Sequence, residues 1–325
     1  MSKIGCIGLI RIWLSFVLVI AFQVAQAQYS PDTVKIGSYV ISLHDFNFHD
    51  KEYVARFWVW MTYKNPDFDF AHRVEVPNAK DMIIQDVMSD TLDDGQIWVL
   101  LKLKCVMKQN WQVHNFPFDK QTLEVSIENS EFDTRKLVFE LDTSGSHYDP
   151  HFTVDGWKIQ HFKTIKRIAK YGTDFGDPTL TENKSEYASY VLSLDLTRNA
   201  WGLYLKLFIG MYISFLIAFI SFNIDQSDSG PRFELPVGGL FGSVGNKYII
   251  DTSLPESSHF TLVDSLHALT FISIFIILAI SVYSLRIYDL GLVERARKID
   301  RIGRNAVISV YVLVNATLVL MAIFQ

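Results

Sequence analysis

Asn115-Phe116-Pro117-Phe118-Asp119-Lys120-Gln121-Thr122-Leu123 is the stretch on which the reading of this chain turns. Pro117 fixes the backbone of a short loop between two aromatic rings. Asp119 follows with a carboxylate that either serves its own turn or pairs with a base or N–H elsewhere. Directly after it, Leu123, Val125 and Ile127 alternate with Thr122, Glu124, Ser126 and Glu128. A period of two marks a strand with one wet face. The same pattern extends outward on both sides. Ile97, Val99, Leu101, Leu103 and Cys105 oppose Lys102, Lys104 and Lys108, and Leu192, Leu194 and Leu196 alternate with Ser193, Asp195 and Thr197. Turn clusters at Asn65-Pro66-Asp67, Asp93-Asp94-Gly95, Ser144-Gly145-Ser146 and Gly176-Asp177-Pro178 separate the runs. Short strands so spaced predict an all-β sandwich over residues 28–200.

Beyond residue 200 the composition changes. Four apolar runs follow: Trp201 to Ile224, Phe233 to Ile250, Thr261 to Leu285 and Ala306 to Phe324. The first, third and fourth reach the ~20 residues that a helix needs to cross a bilayer. The expected class is therefore an all-β domain followed by an α-helical transmembrane four-helix bundle over 201–325. Arg286, Arg295, Arg297, Lys298, Arg301 and Arg304 lie between the third and fourth runs, whereas Asp251 and Glu256 lie between the second and third. The excess of cations places the former on the cytoplasmic side and the β domain and C-terminus outside. The N-terminus agrees. Lys3 and Arg11 supply positive charge ahead of the apolar Ile12 to Phe22, and Ala25-Gln26-Ala27 is a cleavage pattern. Residues 1–27 then read as a signal peptide, with an uncleaved anchor as the alternative. The expected location is the cell (inner) membrane, multi-pass.

A β-rich exported domain, an F-P-F-D loop and four membrane runs together resemble the pentameric ligand-gated ion channels, the Cys-loop receptor superfamily, most nearly its prokaryotic branch. Where eukaryotic members carry the two loop cysteines this chain has Gln109 and Leu123. With Cys6 removed, Cys105 is the remaining thiol and a small core hydrophobe. The resemblance implies a homo-oligomer of five subunits and an unidentified small-molecule ligand. It makes Phe116, Pro117, Phe118 and Asp119 a coupling loop that rests on the membrane domain. It also places the segment from Tyr171 to Tyr190 over the ligand site, so Tyr171, Phe175, Tyr187 and Tyr190 are the ligand-binding candidates. Such rings hold cationic amines in the family. The family's Trp-x-Pro signature is absent from Arg73 to Lys80, so one wall of the usual pocket is missing or rebuilt.

The resemblance makes the second run the pore-lining helix. Its glycines, with Asn246 and Lys247, make it a poor neighbour for lipid. Helical spacing puts Glu234, Gly238, Phe241, Gly245, Tyr248 and Thr252 on one face. With the register set on the family's post-pore turn, the resemblance places Phe241 where the family often has an apolar mid-membrane gate, and Glu234 and Asp251 are acidic groups at the two ends that favour cations. Arg232, two residues from Glu234, is expected to offset part of its field. Glycines four apart also serve tight helix packing, and the first run has Gly210 where the family has a mid-helix proline.

Two function classes follow. One is a ligand-gated ion channel subunit, cation-preferring where it conducts. The other is a non-conducting, membrane-anchored sensor or binding protein with the receptor fold. The net charge of −5 does not suggest a nucleic-acid binder, which needs a basic patch, and the expected partners are other copies of the chain, membrane lipid and the ligand. The chain holds no G-x-S-x-G, H-E-x-x-H, P-loop or G-x-G-x-x-G motif, which points away from an enzyme and from a cofactor or metal site.

Overall fold

The computed structural model describes residues 30–178, 184–257 and 259–324, so the expected signal segment lies outside the described residues. Ten strands, with short helical turns at Pro66–Phe68 and Phe70–Arg73 between the second and third, precede the four long helices: β1 (Asp32–Asn47), β2 (Glu52–Tyr63), β3 (Val74–Glu75), β4 (Ala79–Thr91), β5 (Ile97–Lys108), β6 (Lys120–Asn129), β7 (Leu137–Leu141), β8 (His147–Tyr148), β9 (Trp157–Tyr171) and β10 (Ser185–Arg198). They form two sheets. One runs β4-β5-β2-β1-β7 with β8 beside β1, and the other runs β3-β6-β10-β9. Most neighbours are antiparallel, as the alternation predicts, but β7 and β8 pair with β1 in parallel.

The inward positions of the alternating strands make the core. Val34, Ile36, Phe57, Val59, Met61, Val99, Leu101, Leu103 and Cys105 meet Leu123, Val125, Ile127, Leu192, Leu194 and Leu196, all buried. Burial pushes the Cys105 thiol up to about 12, which fits a packing role rather than a reactive one. Two hydroxyls cross between the sheets, with Ser38 Oγ and Tyr190 Oη 2.7 Å apart.

Four long helices follow: α1 (Ala200–Ile220), α2 (Ser229–Asp251), α3 (Leu262–Asp289) and α4 (Val293–Phe324). By length and composition α1 with its 3-10 extension, α3 and α4 can each cross a membrane. The second run is helical over its whole length but too polar to join them, because Arg232, Glu234, Asn246 and Lys247 interrupt it. The connection between the third and fourth runs is shorter than the sequence implies. Only 290–292 separate α3 from α4, and the basic segment from Arg295 to Arg304 is helical. After Gly291, at φ +79°, no glycine or proline interrupts the strong helix formers Glu294-Arg295-Ala296-Arg297-Lys298.

The β domain and the helices share one buried cluster. It runs from the sandwich through Trp111 and Phe116 to Tyr204, Phe208, Leu262 and Leu266 at the adjoining helix ends. Thr261 caps α3 reciprocally with Asp264, and Leu262 N–H donates to His114 O at 2.9 Å. The first turn of α3 is thereby fastened to the residue that precedes the F-P-F-D loop.

Candidate functional site

The F-P-F-D loop lies at the junction. Asp119, immediately before β6, is buried and accepts from Arg198 Nε at 2.6 Å and Nη2 at 3.1 Å, and from Gln121 Nε2 at 2.7 Å. Arg198 ends β10, two residues before α1 begins. Its guanidinium also stacks 4.0 Å from the Trp157 ring and near Phe48 and Phe116. Phe118 points the other way, with its ring 5.4 Å from both Trp201 and Tyr204 in the first turns of α1. Pro117 follows a cis peptide and is buried between these two contacts. The loop therefore holds the base of β10 with its carboxylate and the start of α1 with a ring. Arg198 was not picked out from the sequence. The signal was there, a lone cation between a strand and a membrane run.

At the opposite end of β9 and β10, Tyr171, Phe175 and Tyr187 form an edge-to-face triad with centroids 5.6–6.4 Å apart. Phe175 adopts φ +53° and is exposed. Tyr190 does not join them. It is fully buried and hydrogen-bonds Ser38, because three residues along a strand reverse the face. Tyr187 falls on the outer face of β10, whereas Tyr190 shares the inner face with Leu192 and Leu194. Tyr190 is thus corrected from a ligand residue to a core residue.

Beneath the triad is a carboxylate that the sequence pattern concealed. Glu128 is buried, and Tyr171 Oη donates to its Oε2 at 3.0 Å. Burial raises its carboxyl above the usual range, against the pull of bonds from Ser189 and Tyr171 and with help from nearby Glu75. Burial and Glu128 together push the Tyr171 phenol up to about 12. In the segment that lacks the Trp-x-Pro signature, Asn78 bonds Glu124 O at 2.8 Å and Ser126 N–H at 3.0 Å, tying the start of β4 to β6.

In α2 the glycines divide by face. A Cβ on Gly239 would meet Ser214 O at 2.5 Å, and one on Gly242 would meet Ser214 Oγ at 2.6 Å, so both permit the close approach of α1. Gly238 and Gly245 have nothing within 4 Å of that position. Glu234, Gly238, Phe241, Gly245, Tyr248 and Thr252 are all exposed in the single chain, with Phe241 at 72% and Tyr248 at 70%. The other polar groups turn inward. Asn246 Nδ2 donates to Leu207 O at 2.9 Å and its Oδ1 is 3.1 Å from His267 Nε2, joining α1, α2 and α3. Lys247 pairs with Asp251 at 2.5 Å and with Asp264 at 2.8 Å. Asp251 is therefore a compensated charge, unlike the free acidic ring expected at that end. Arg232 is also directed away from Glu234, onto Asp300 of α4 at 2.5 Å.

No family model matches the chain. Among curated proteins it is similar to a proton-gated ion channel of Gloeobacter violaceus, 22% identical over 249 residues, or 75% of this chain and 65% of that one. It is also similar to the gamma-aminobutyric acid receptor subunit rho-2 of Bos taurus, 21% identical over 234 residues, or 70% of this chain and 46% of that one. The chain thus spans about two thirds or less of the length of these relatives, which are ion channels or receptor subunits rather than enzymes.

Proposed function

We propose that this chain is a prokaryotic-type member of the Cys-loop superfamily of pentameric ligand-gated ion channels, without the loop disulfide, and the subunit of a cation-preferring channel opened by a small ligand. The observation that carries this reading is the exposed face of α2. It is studded with glycines and acidic at Glu234, and lipid is a poor solvent for such a face. Five copies arranged about an axis give it water, and a closed ring is the ordinary symmetric solution. Phe241 then forms an apolar constriction and Glu234 a charge ring at the cytoplasmic mouth, with the β domain and the C-terminus outside the cytoplasm of the inner membrane. The experiment is reconstitution with reversal potentials in a salt gradient. The native chain is expected to reverse on the cation side, Glu234→Gln to move toward zero, and Phe241→Ala to leak without ligand. Reversal on the anion side sinks the cation preference. Absence of current in both the native chain and Phe241→Ala transfers the assignment to a non-conducting sensor.

For the ligand, the triad of Tyr171, Phe175 and Tyr187 above buried Glu128 favours a small organic cation, with ring faces and a carboxylate to receive it. Replacing Tyr187 by Ala is expected to weaken binding by about 1–2 kcal/mol. The pH dependence has a definite sign. Glu128 has a raised pKa and is protonated more readily than an ordinary carboxyl, while a bound cation favours its charged form. Affinity therefore rises as pH climbs through the raised pKa, and binding releases a proton in that window. Titration of a panel of small amines in two buffers of different ionisation heat reads the proton directly. Equal heats and a pH-independent affinity would remove Glu128 from the site.

A further inference from the structure

Arg232 and Glu234 are neighbours in sequence but not in space. Two residues along an α-helix turn the side chain by about 200°, so Glu234 reaches the open face while Arg232 is fully buried on the opposite side of α2. Arg232 Nη2 donates to Asp300 Oδ1 at 2.5 Å and Nη1 donates to Ile224 O at 2.9 Å, while its Nε has no acceptor. Asp300 is itself buried, and its Oδ2 accepts from Gln226 Nε2 at 2.8 Å. One carboxylate of α4 thus neutralises the cation at the base of α2 and fastens that base to the α1–α2 connection. Lys247, the other cation of α2, is matched by Asp251 and Asp264. Among the described residues, Glu234 has no ion-pair partner.

We infer that Asp300 is a specificity-determining positioning residue for conduction. By neutralising Arg232 and holding its guanidinium on the inward side of α2, it leaves the Glu234 ring as the uncompensated charge at the cytoplasmic mouth. Cation preference is then set in part by α4, whose Asp300 never touches the ion. The inference rests on the channel reading above and goes beyond it by naming what protects the acidic ring. The alternative role for the pair is a plain anchor between α2 and α4. Both roles predict instability when the pair is broken, but only charge compensation predicts a change in selectivity that a neutral pair reverses.

The test uses the full chain reconstituted in bilayers, with reversal potentials measured in a NaCl gradient for the native protein, D300N, R232Q/D300N and E234Q. In D300N the buried guanidinium is unpaired, and the cation-to-anion permeability ratio is expected to fall by about threefold or more, as an uncompensated positive charge enters the field of each Glu234. In R232Q/D300N both charges are gone and the ratio is expected to return to the native value. An unchanged ratio in D300N, with a reduced ratio in E234Q, overturns the role of Asp300 while the pore face stands. Unchanged ratios in both E234Q and D300N, or no current in the native chain, remove the pore-face reading and this inference with it. If D300N fails to assemble, the double variant decides alone. Native selectivity there supports charge compensation, and a lowered ratio shows that the pair is an anchor whose loss distorts the mouth.

Discussion

Asp119→Ala is expected to lower the stability of the folded subunit by about 3–5 kcal/mol, the range for removing one partner of a buried ion pair. The Asp119 side chain is 1% exposed and that of Arg198 is 9%, so neither charge has water to fall back on. Loss of the carboxylate strands the guanidinium among Trp157, Phe48 and Phe116. Those rings attract it but accept no conventional hydrogen bond from it. Gln121 Nε2 loses one of its acceptors as well. The expected reading is a large drop in thermal midpoint in detergent, together with loss of ligand-induced current. Arg198→Lys separates stability from coupling. It keeps the charge but not the two-pronged geometry, so it should fold better than Asp119→Ala while its response to ligand stays impaired. A native midpoint and native gating in Asp119→Ala would show that the pair carries neither the junction nor the signal.

Four of the glycines of α2, Gly238, Gly239, Gly242 and Gly245, are expected to respond to alanine with opposite signs. At Gly239 the new methyl meets a backbone oxygen of α1, which cannot rotate away, so the helices must part. Overpacking of this kind costs about 1–3 kcal/mol. At Gly242 the obstacle is the Ser214 hydroxyl, a side chain that can change rotamer, and the loss should be smaller. At Gly238 and Gly245 the methyl enters open space, and alanine should stabilise the helix by about 0.5–1 kcal/mol each. Thermal midpoints of the four single variants test the split. In the assembled channel, Gly245→Ala should also narrow the space between Phe241 and Tyr248 and lower single-channel conductance. If all four variants move stability in the same direction, the division of α2 into a packed face and an open face is wrong.

Much of this molecule can be read from local chemistry. Alternation of apolar and polar residues predicts β5, β6 and the second half of β10, but not the first residues of β10 from Ser185, because a strand with one wet face must repeat every second residue. Length and hydropathy predicted α1, α3 and α4, because a lipid-crossing helix must be apolar over its whole span. The F-P-F-D loop stood out because proline between aromatic rings is a strong local constraint. A helical period of 3.6 likewise puts Glu234, Gly238, Phe241, Gly245, Tyr248 and Thr252 on one face.

What periodicity cannot supply is which distant residue meets which. Asp119 read equally well as a turn residue or as half of a pair. Only the arrival of β10 beside β6 brings Arg198 to it, across 79 positions. Glu128 looked like one more outward residue of an alternating strand, yet the end of β9 covers it with Tyr171 and turns it into a buried carboxylate. Tyr190 lay among the aromatic residues of a capping segment, and the register of β10 against β6 sent it into the core. Arg232 was expected to weaken Glu234 from two residues away, and instead Asp300, 68 positions on, pairs with it. Side-chain chemistry along the chain specifies the β-rich region, the apolar helices that follow it and the period of each face. Tertiary structure alone decided the partners of the buried charges, because a charge withdrawn from water must find its counter-charge in space, at whatever distance along the chain the fold supplies it.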